Sequence, residues 1–449
     1  MLTDPEAPAL PPQPRRWSLS KIIFWTFGSL TVLMMGLLLY DENLEAFEDL
    51  KPIRTEAPDA TTNGFLYLKE RWEKLPAPSK EDREYSRKML QDTVPWDEAH
   101  VTKMLRGRET AWPELKTALA MPEWVVPPEL DYRNTPVTNY SQWLIPIYSA
   151  VSLESYNSAR IGKFPEALEK LEGLQNLSTR MRNGSSNLLP NLVGGSLYAQ
   201  SVILGSDLIA QNTLDAAAMA KLADLWKSDP PALAPIRQAM AGETAHFASM
   251  VVNFRRICHS PAGGKGIQRF GWLLCKTNQT LNQYHREMRT VTDAMLKPYP
   301  SRAAAEAALT PARPKKSSLF PEWMDPNLMG KSLVNSASSY TKLALGLPQS
   351  LFYPRAMRVK IALHQWQAMH EGKLPDNLDA LVPDYLPEVP ADPWNGSHLM
   401  WDTSAGIIYA VGSDWIPDLP VFNSTKREWH TPNNESPGLR LYLPPGPPP

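Results

Sequence analysis

The longest uninterrupted apolar stretch of the chain occupies residues 22–40, near the start of the sequence, and reads IIFWTFGSLTVLMMGLLLY. It contains no charged side chain. A helix needs about 20 apolar residues to cross a bilayer core about 30 Å thick. The pattern therefore predicts one transmembrane helix over residues 22–40.

Charged residues flank this run with opposite signs at its two ends. The basic residues Arg15, Arg16 and Lys21 precede it, and the acidic residues Asp41, Glu42, Glu45, Glu48 and Asp49 follow it. Lys and Arg beside a span stay on the cytoplasmic side. We therefore expect residues 1–21 to form a Pro-rich cytoplasmic tail and residues 41–449 to lie across the membrane. A cleaved signal peptide is the alternative, although the run exceeds the usual length and lacks a small-x-small site.

The middle of the chain has helical periodicity. After a linker at residues 41–62, apolar residues recur at helical spacing, which predicts a helical domain over residues 63–310. Ser79 followed by acidic residues predicts a helix start. Residues 236–257 and 267–296 are long enough to form an antiparallel helix pair. Prolines within residues 311–325 predict a domain boundary.

The pattern changes near residue 353. A helix face that ends at Gly372 is followed by the proline-framed segment LPDNLDALVPDYLP and the turn VPADPWNG. Two short runs, 398–401 and 407–411, then predict a hairpin. The sequence therefore predicts a small α+β module over residues 326–420 and a Pro-rich tail over residues 421–449. The predicted fold class is mainly α, with an N-terminal transmembrane helix, an extracytoplasmic helical domain and this module.

Four short motifs of this region occur in a fixed order. They are GKLP at 372–375, LxxLVP at 378–383, PxDPWxG at 390–396 and YxVGxD at 409–414. Together they make residues 353–418 resemble the C-terminal half of the major pseudopilin of type II secretion systems. The prepilin-peptidase site of that family is not found around Ile22. The resemblance implies a bacterial envelope protein linked to secretion or pilus-like machinery, and a calcium site at Asp414 and Asp418.

The amino-acid composition bears on three further expectations: nucleic-acid binding, the length of the structural elements and disulfide formation. A net charge of −1 at pH 7 gives no broad electrostatic basis for binding nucleic acid. The 44 prolines, against a usual share of about 5%, predict many short elements and fixed turns. Cys258 and Cys275 are the only two cysteines. In an oxidising compartment they predict a disulfide worth about 3 kcal/mol, with two buried free thiols as the alternative.

The sequence contains no complete set of catalytic motifs that we recognise. Ser339-x-x-Lys342 matches the first motif of penicillin-binding proteins, but its partner motifs do not follow. We expect a single-pass, membrane-anchored envelope protein with a structural or protein-binding role, and no cofactor beyond the implied calcium. Its expected partners are the membrane, through residues 22–40, and envelope proteins. Its expected location is the bacterial inner membrane, with the bulk of the chain in the periplasm.

An anchored extracytoplasmic hydrolase with an unrecognised site is the second hypothesis. It differs from the first in one structural expectation. A hydrolase requires a nucleophile and a base within hydrogen-bond reach in a cleft that a substrate can enter.

Overall fold

The architecture comes from a computed structural model. It describes residues 40–45, 59, 61–74, 79–90, 96–127, 140–185, 187–210, 214–230, 233–259, 274–295, 297–310, 325, 327–337, 340–417, 421–423, 428–430 and 437–441. The predicted transmembrane helix and the cytoplasmic tail before it lie outside these residues, except for Tyr40.

Helices make up 66% of the described residues, which confirms a mainly α fold. In chain order they are α1 Gly64–Trp72, α2 Lys80–Leu90, α3 Glu98–Leu105, α4 Ala111–Ala120, α5 Tyr140–Arg160, α6 Phe164–Asn183, α7 Leu188–Ala210, α8 Ala216–Leu225, α9 Leu233–His259, α10 Thr277–Ala294, α11 Arg302–Leu309, α12 Leu328–Ala337, α13 Thr341–Gly346 and α14 Gln349–Met369. Short 3₁₀ helices follow at Leu378–Leu381 and Gly412–Asp414.

Local capping signals start several of these helices. The Ser79 hydroxyl accepts a hydrogen bond from the backbone N–H of Asp82 at 3.0 Å, which confirms the predicted start of α2. Asp97 and Asp215 cap α3 and α8 in the same way. Each cap satisfies a backbone N–H that the helix itself leaves without a partner.

Helix α7 lies at the centre of the fold and packs against α5, α6, α9 and α14. Among the described helices, α7 alone is long and apolar enough to cross a membrane. More than half of its most apolar window is buried inside the protein, however. A fully covered core helix meets the same criteria of length and composition, so this finding is weak support for a second span.

Helices α9 and α10 form the antiparallel pair that the sequence predicts. Arg237 near the start of α9 is paired with Asp293 at the end of α10. Further along, the Phe247 ring stacks on the Tyr284 ring with centroids 3.8 Å apart. The contacts therefore progress in opposite directions along the two helices.

Two hydrophobic cores are present in the described residues. The residues that they share out do not follow the domain boundary that the sequence predicts at 311–325. The first joins buried residues between positions 65 and 226 with others between 352 and 441. The second joins residues of α9, α10 and α11 with α12 and α13. The predicted division between a helical domain 63–310 and a module 326–420 is therefore not a division of the core. The reason is that α14, inside the predicted module, packs on α7 of the helical region.

The C-terminal region contains the predicted hairpin. Strands β1 Met400–Asp402 and β2 Ile407–Tyr409 pair antiparallel. Before them, Gly372 has a φ of +81° just past the end of α14, as expected of a glycine at that position.

The predicted tail over residues 421–449 needs correction. It contains strands β3 Val421–Asn423, β4 Glu428–His430 and β5 Gly438–Arg440. Strands β3 and β4 pair with each other, and β5 completes a three-stranded antiparallel sheet of order β1-β2-β5. A three-residue strand is too short to produce a visible alternation in sequence. The position of β5 is fixed by its pairing with β2 and by the burial of Leu439 and Leu441.

Gly205 permits a close approach between α7 and the fully buried Trp226. A Cβ atom at residue 205 would lie 2.3 Å from the indole. Gly205→Ala should lower the free energy of unfolding by about 1–3 kcal/mol, because the indole must shift in a packed core. Urea unfolding of the full chain in mild detergent, followed by tryptophan fluorescence, measures this change.

Gly195→Ala on the same helix is the matched control, since nothing lies within 4 Å of its Cβ position. It should leave stability unchanged or raise it by up to about 1 kcal/mol, because alanine favours the helix. Equal losses for the two variants would contradict the close packing at Gly205.

Candidate functional site

The predicted calcium residues are placed only in part. One Asp414 oxygen accepts the backbone N–H of Ile416 at 3.1 Å and closes a turn. Asp418 lies outside the described residues. Calcium requires six to eight oxygen ligands, and no group of three metal-ligating side chains occurs among the described residues. What is described of Asp414 fits a turn residue, and the calcium site stays a prediction.

The two cysteines lie at the same end of the α9–α10 pair. Cys258 is at the C-terminal end of α9, and Cys275 precedes α10. Cys275 is half-buried against the second core. The Cys258 side chain is outside what the structure describes, so the disulfide stays a prediction.

The structure brings together a serine and a lysine that the sequence did not suggest. The Lys360 Nζ on α14 donates to the Ser206 Oγ at 2.7 Å and to the Ser206 carbonyl at 2.8 Å. Ser339 of the Ser339-x-x-Lys342 motif lies outside the described residues, as does the Lys342 side chain. A serine beside a lysine is one known form of nucleophile and base.

Burial decides how this pair can act. Ser206 is 3% exposed and Lys360 is 1% exposed. One turn further along α14, burial and the Lys360 charge lower the pKa of His364 to about 4, against a hydrogen bond to the Leu441 backbone that raises it. These residues form a polar cluster, here called the buried polar cluster, between α7, α14 and the residue after β5, in which Ser206 and Lys360 are buried and His364 is half-buried. A substrate would have to cross the core to reach it, so the cluster joins elements rather than presenting a nucleophile.

A separate set of polar contacts, here called the Asp229 junction, connects α14 to the loop after α8. Arg355 and Arg358 both donate to the Asp229 carboxylate, with shortest distances of 2.7 Å. Arg355 also donates to the Ala391 carbonyl at 2.7 Å, inside the PxDPWxG motif. One carboxylate thus connects the helical body, α14 and the C-terminal turn.

Asp392 joins two of the four motifs that are separated in sequence. Its fully buried carboxylate accepts the N–H of Trp394 at 2.8 Å and that of Val411 at 2.9 Å. Burial raises the pKa of this carboxyl, while these backbone hydrogen bonds oppose the rise. The Trp394 indole donates to the Leu345 carbonyl at 2.9 Å, which attaches the turn to α13 and the second core.

Residues 40–45, here called the juxtamembrane segment because they follow the predicted transmembrane helix, are bound to α10. The Asp41 carboxylate accepts the N–H groups of Asn278 at 2.8 Å and of Gln279 at 3.1 Å. The Lys276 ammonium donates to the Tyr40 carbonyl. Carboxylates stabilise helix N-termini because they pair with free N–H groups and with the helix dipole.

Asn282 continues this attachment one turn along α10. Its side chain accepts the Glu45 N–H and donates to the Glu42 carboxylate and the Asn43 carbonyl, each at 2.8 Å. Asn282 is 1% exposed. Arg286 then pairs with the Glu45 carboxylate. The start of the predicted linker is therefore fixed in register on the folded body.

Sequence reasoning identified none of these junctions. The closest signal was a lysine, Lys360, in a helix whose neighbouring positions are apolar. Asp229, Asp392 and Asn282 look like ordinary surface residues in sequence, because their partners lie far away along the chain.

The Asp229 junction should make stability depend on pH. Burial alone would raise the pKa of the Asp229 carboxyl, but hydrogen bonds and charge from Arg355 and Arg358 outweigh it and lower the pKa. A lowered pKa stabilises the fold above the unfolded value of about 3.9 and ceases to do so as pH falls through the folded value. Asp229→Asn should cost about 1–3 kcal/mol at pH 7. This difference from wild type should shrink below about pH 4.

Urea unfolding at a series of pH values measures both effects. Glu169→Gln is the control, because its pair with Lys116 is exposed and worth about 0–1 kcal/mol. A loss for Asp229→Asn that does not exceed the control, or that is constant with pH, would refute the junction.

Comparison with known proteins finds no matching family model, no matching curated protein and no matching solved structure for this chain.

Proposed function

We propose that this chain is a single-pass protein of the bacterial inner membrane, anchored by residues 22–40 with its bulk in the periplasm. Its role in this proposal is structural or protein-binding, linked to secretion or pilus-like machinery. The anchor rests on the apolar run and its flanking charges. The link to that machinery rests on the four C-terminal motifs.

The observation that carries the structural role is the attachment of the juxtamembrane segment to α10. Residues that directly follow the predicted span are held by Asn278, Asn282 and Arg286. A body held this way has a defined position relative to its anchor. A scaffold needs such a position, whereas a tethered enzyme can work at the end of a loose linker.

The junctions inside the body support the same proposal. The Asp229 junction and the buried polar cluster fasten the C-terminal region to the helices. The Ser206–Lys360 pair meets the distance that a hydrolase requires but is enclosed by the core. It therefore favours the structural role over the hydrolase alternative.

Membrane placement has a direct test. Tagged full-length protein should remain in the pellet after alkaline carbonate washing. Protease added to spheroplasts should degrade residues beyond 40 while an N-terminal tag stays protected. Extraction by carbonate, or protection of the body, would refute the proposed anchor and orientation.

The binding role is tested by crosslinking in intact membranes, followed by identification of the attached proteins. Untagged cells provide the background. We expect a small set of inner-membrane or periplasmic proteins to be enriched reproducibly. If no protein is enriched above background while the anchor test succeeds, the protein-binding role is wrong.

Asn282→Ala should release the juxtamembrane segment without unfolding the body. It removes three hydrogen bonds from residues 42–45. A loss of about 1.4 kcal/mol raises the open population about tenfold. We therefore expect cleavage by a Glu-specific protease after Glu42 or Glu45 to be roughly tenfold faster. Mass spectrometry of the fragments locates the cut.

Asn253→Ala is the matched control, since its side-chain amide donates to the Ser249 carbonyl of its own helix. Its cleavage rate should equal that of wild type. Equal rates for all three proteins would show that Asn282 does not hold the segment.

A further inference from the structure

We propose that the N-terminal end of α10 and the C-terminal part of α9 form the face of the body that lies against the lipid headgroups. This inference rests on the single span proposed above. It adds a defined orientation and a lipid-contacting surface to the anchor.

The direction of the juxtamembrane segment along α10 carries the argument. Asp41 binds the N–H groups of Asn278 and Gln279, Asn43 meets Asn282, and Glu45 meets Arg286. Successive residues of the segment thus contact successive turns of the helix. The chain leaving the membrane at Tyr40 runs from the first turn of α10 towards its C-terminal end. The first turn is therefore the end nearer the bilayer.

Antiparallel packing then places the end of α9 at the same level. Arg237 lies beside Asp293, and Phe247 lies beside Tyr284. Continuing this register by five residues places Val252 level with Gln279, where Asp41 binds. Asp293, near the C-terminal end of α10, lies about 21 Å from Gln279 along the helix axis, at 1.5 Å per residue.

Exposed apolar side chains occur at this end of the pair. Tyr40 is 71% exposed, Leu44 is 54% exposed and Val252 is 62% exposed. Val252 is distant in sequence from the anchor, so its position follows from the fold and not from the tether. Apolar and aromatic side chains are stabilised at the boundary between headgroups and acyl chains. The contact that we propose is made by the apolar side chains of Tyr40, Leu44 and Val252.

Photo-crosslinking tests the orientation in full-length protein reconstituted in phosphatidylcholine vesicles. Val252 is replaced by benzoylphenylalanine, which reacts only with its immediate neighbours. Asp293 is replaced in a second protein as the matched control, because it lies on the same helix pair with a half-exposed side chain. Mass spectrometry counts lipid adducts. We expect at least about fivefold more adducts at Val252, since about 21 Å separates the two levels.

The adduct yields test the proposed orientation, and carbonate extraction tests the anchor. Equal yields at the two positions, or a higher yield at Asp293, would overturn the orientation. An adduct to a second protein in place of lipid at Val252 would also overturn it. Carbonate washing of the same vesicles distinguishes this inference from the proposed anchor. A protein that resists extraction but gives no excess of lipid adducts at Val252 refutes only this inference. A protein that is extracted refutes the anchor. Wild-type resistance to protease confirms that both variants fold.

Discussion

The fold depends on covering one nearly uncharged helix on several sides. Helix α7 has a single charged residue, Asp207, and buried residues along most of its length. In water such a helix must bury its apolar surface against neighbours, since each buried methylene contributes about 0.8 kcal/mol. Helices α5, α6, α9 and α14 supply that cover. Glycines assist at the closest contacts, where a Cβ at Gly194 would meet Arg182 and one at Gly205 would meet Trp226.

The C-terminal region shares a core with the preceding helices because α14 covers α7. Helix α14 carries Lys360 into the core and places Arg355 and Arg358 beside Asp229. Buried charges are tolerated only when they are paired, and an unpaired one costs several kcal/mol. Pairings of this kind add specificity to a largely apolar contact, because a shift of α14 along its axis would separate Lys360 from Ser206 and both arginines from Asp229. The sheet then follows α14 through contacts of β2 and β5 with this helix.

The same logic applies to residues 40–45. The juxtamembrane segment uses Asp41 to satisfy the free N–H groups of α10 and uses Asn282 to fix its own backbone. The N-terminus of α10 and residues 40–45 thereby form one attachment. Under the proposed anchor, this attachment fixes the position of the folded residues relative to the membrane, which is the physical basis of the structural role we propose.

Local sequence signals correctly predicted the start of α2 at Ser79, the turn at Gly372, the β1–β2 hairpin and the α9–α10 pair. The shared core, the place of β5 and the partners of Asp229, Lys360 and Asn282 became visible only in the folded chain. The reason is that capping, turn and periodicity signals act over a few residues. A chain with 46 basic and 47 acidic residues allows very many ion pairs, and only the packing of distant segments selects which of them form.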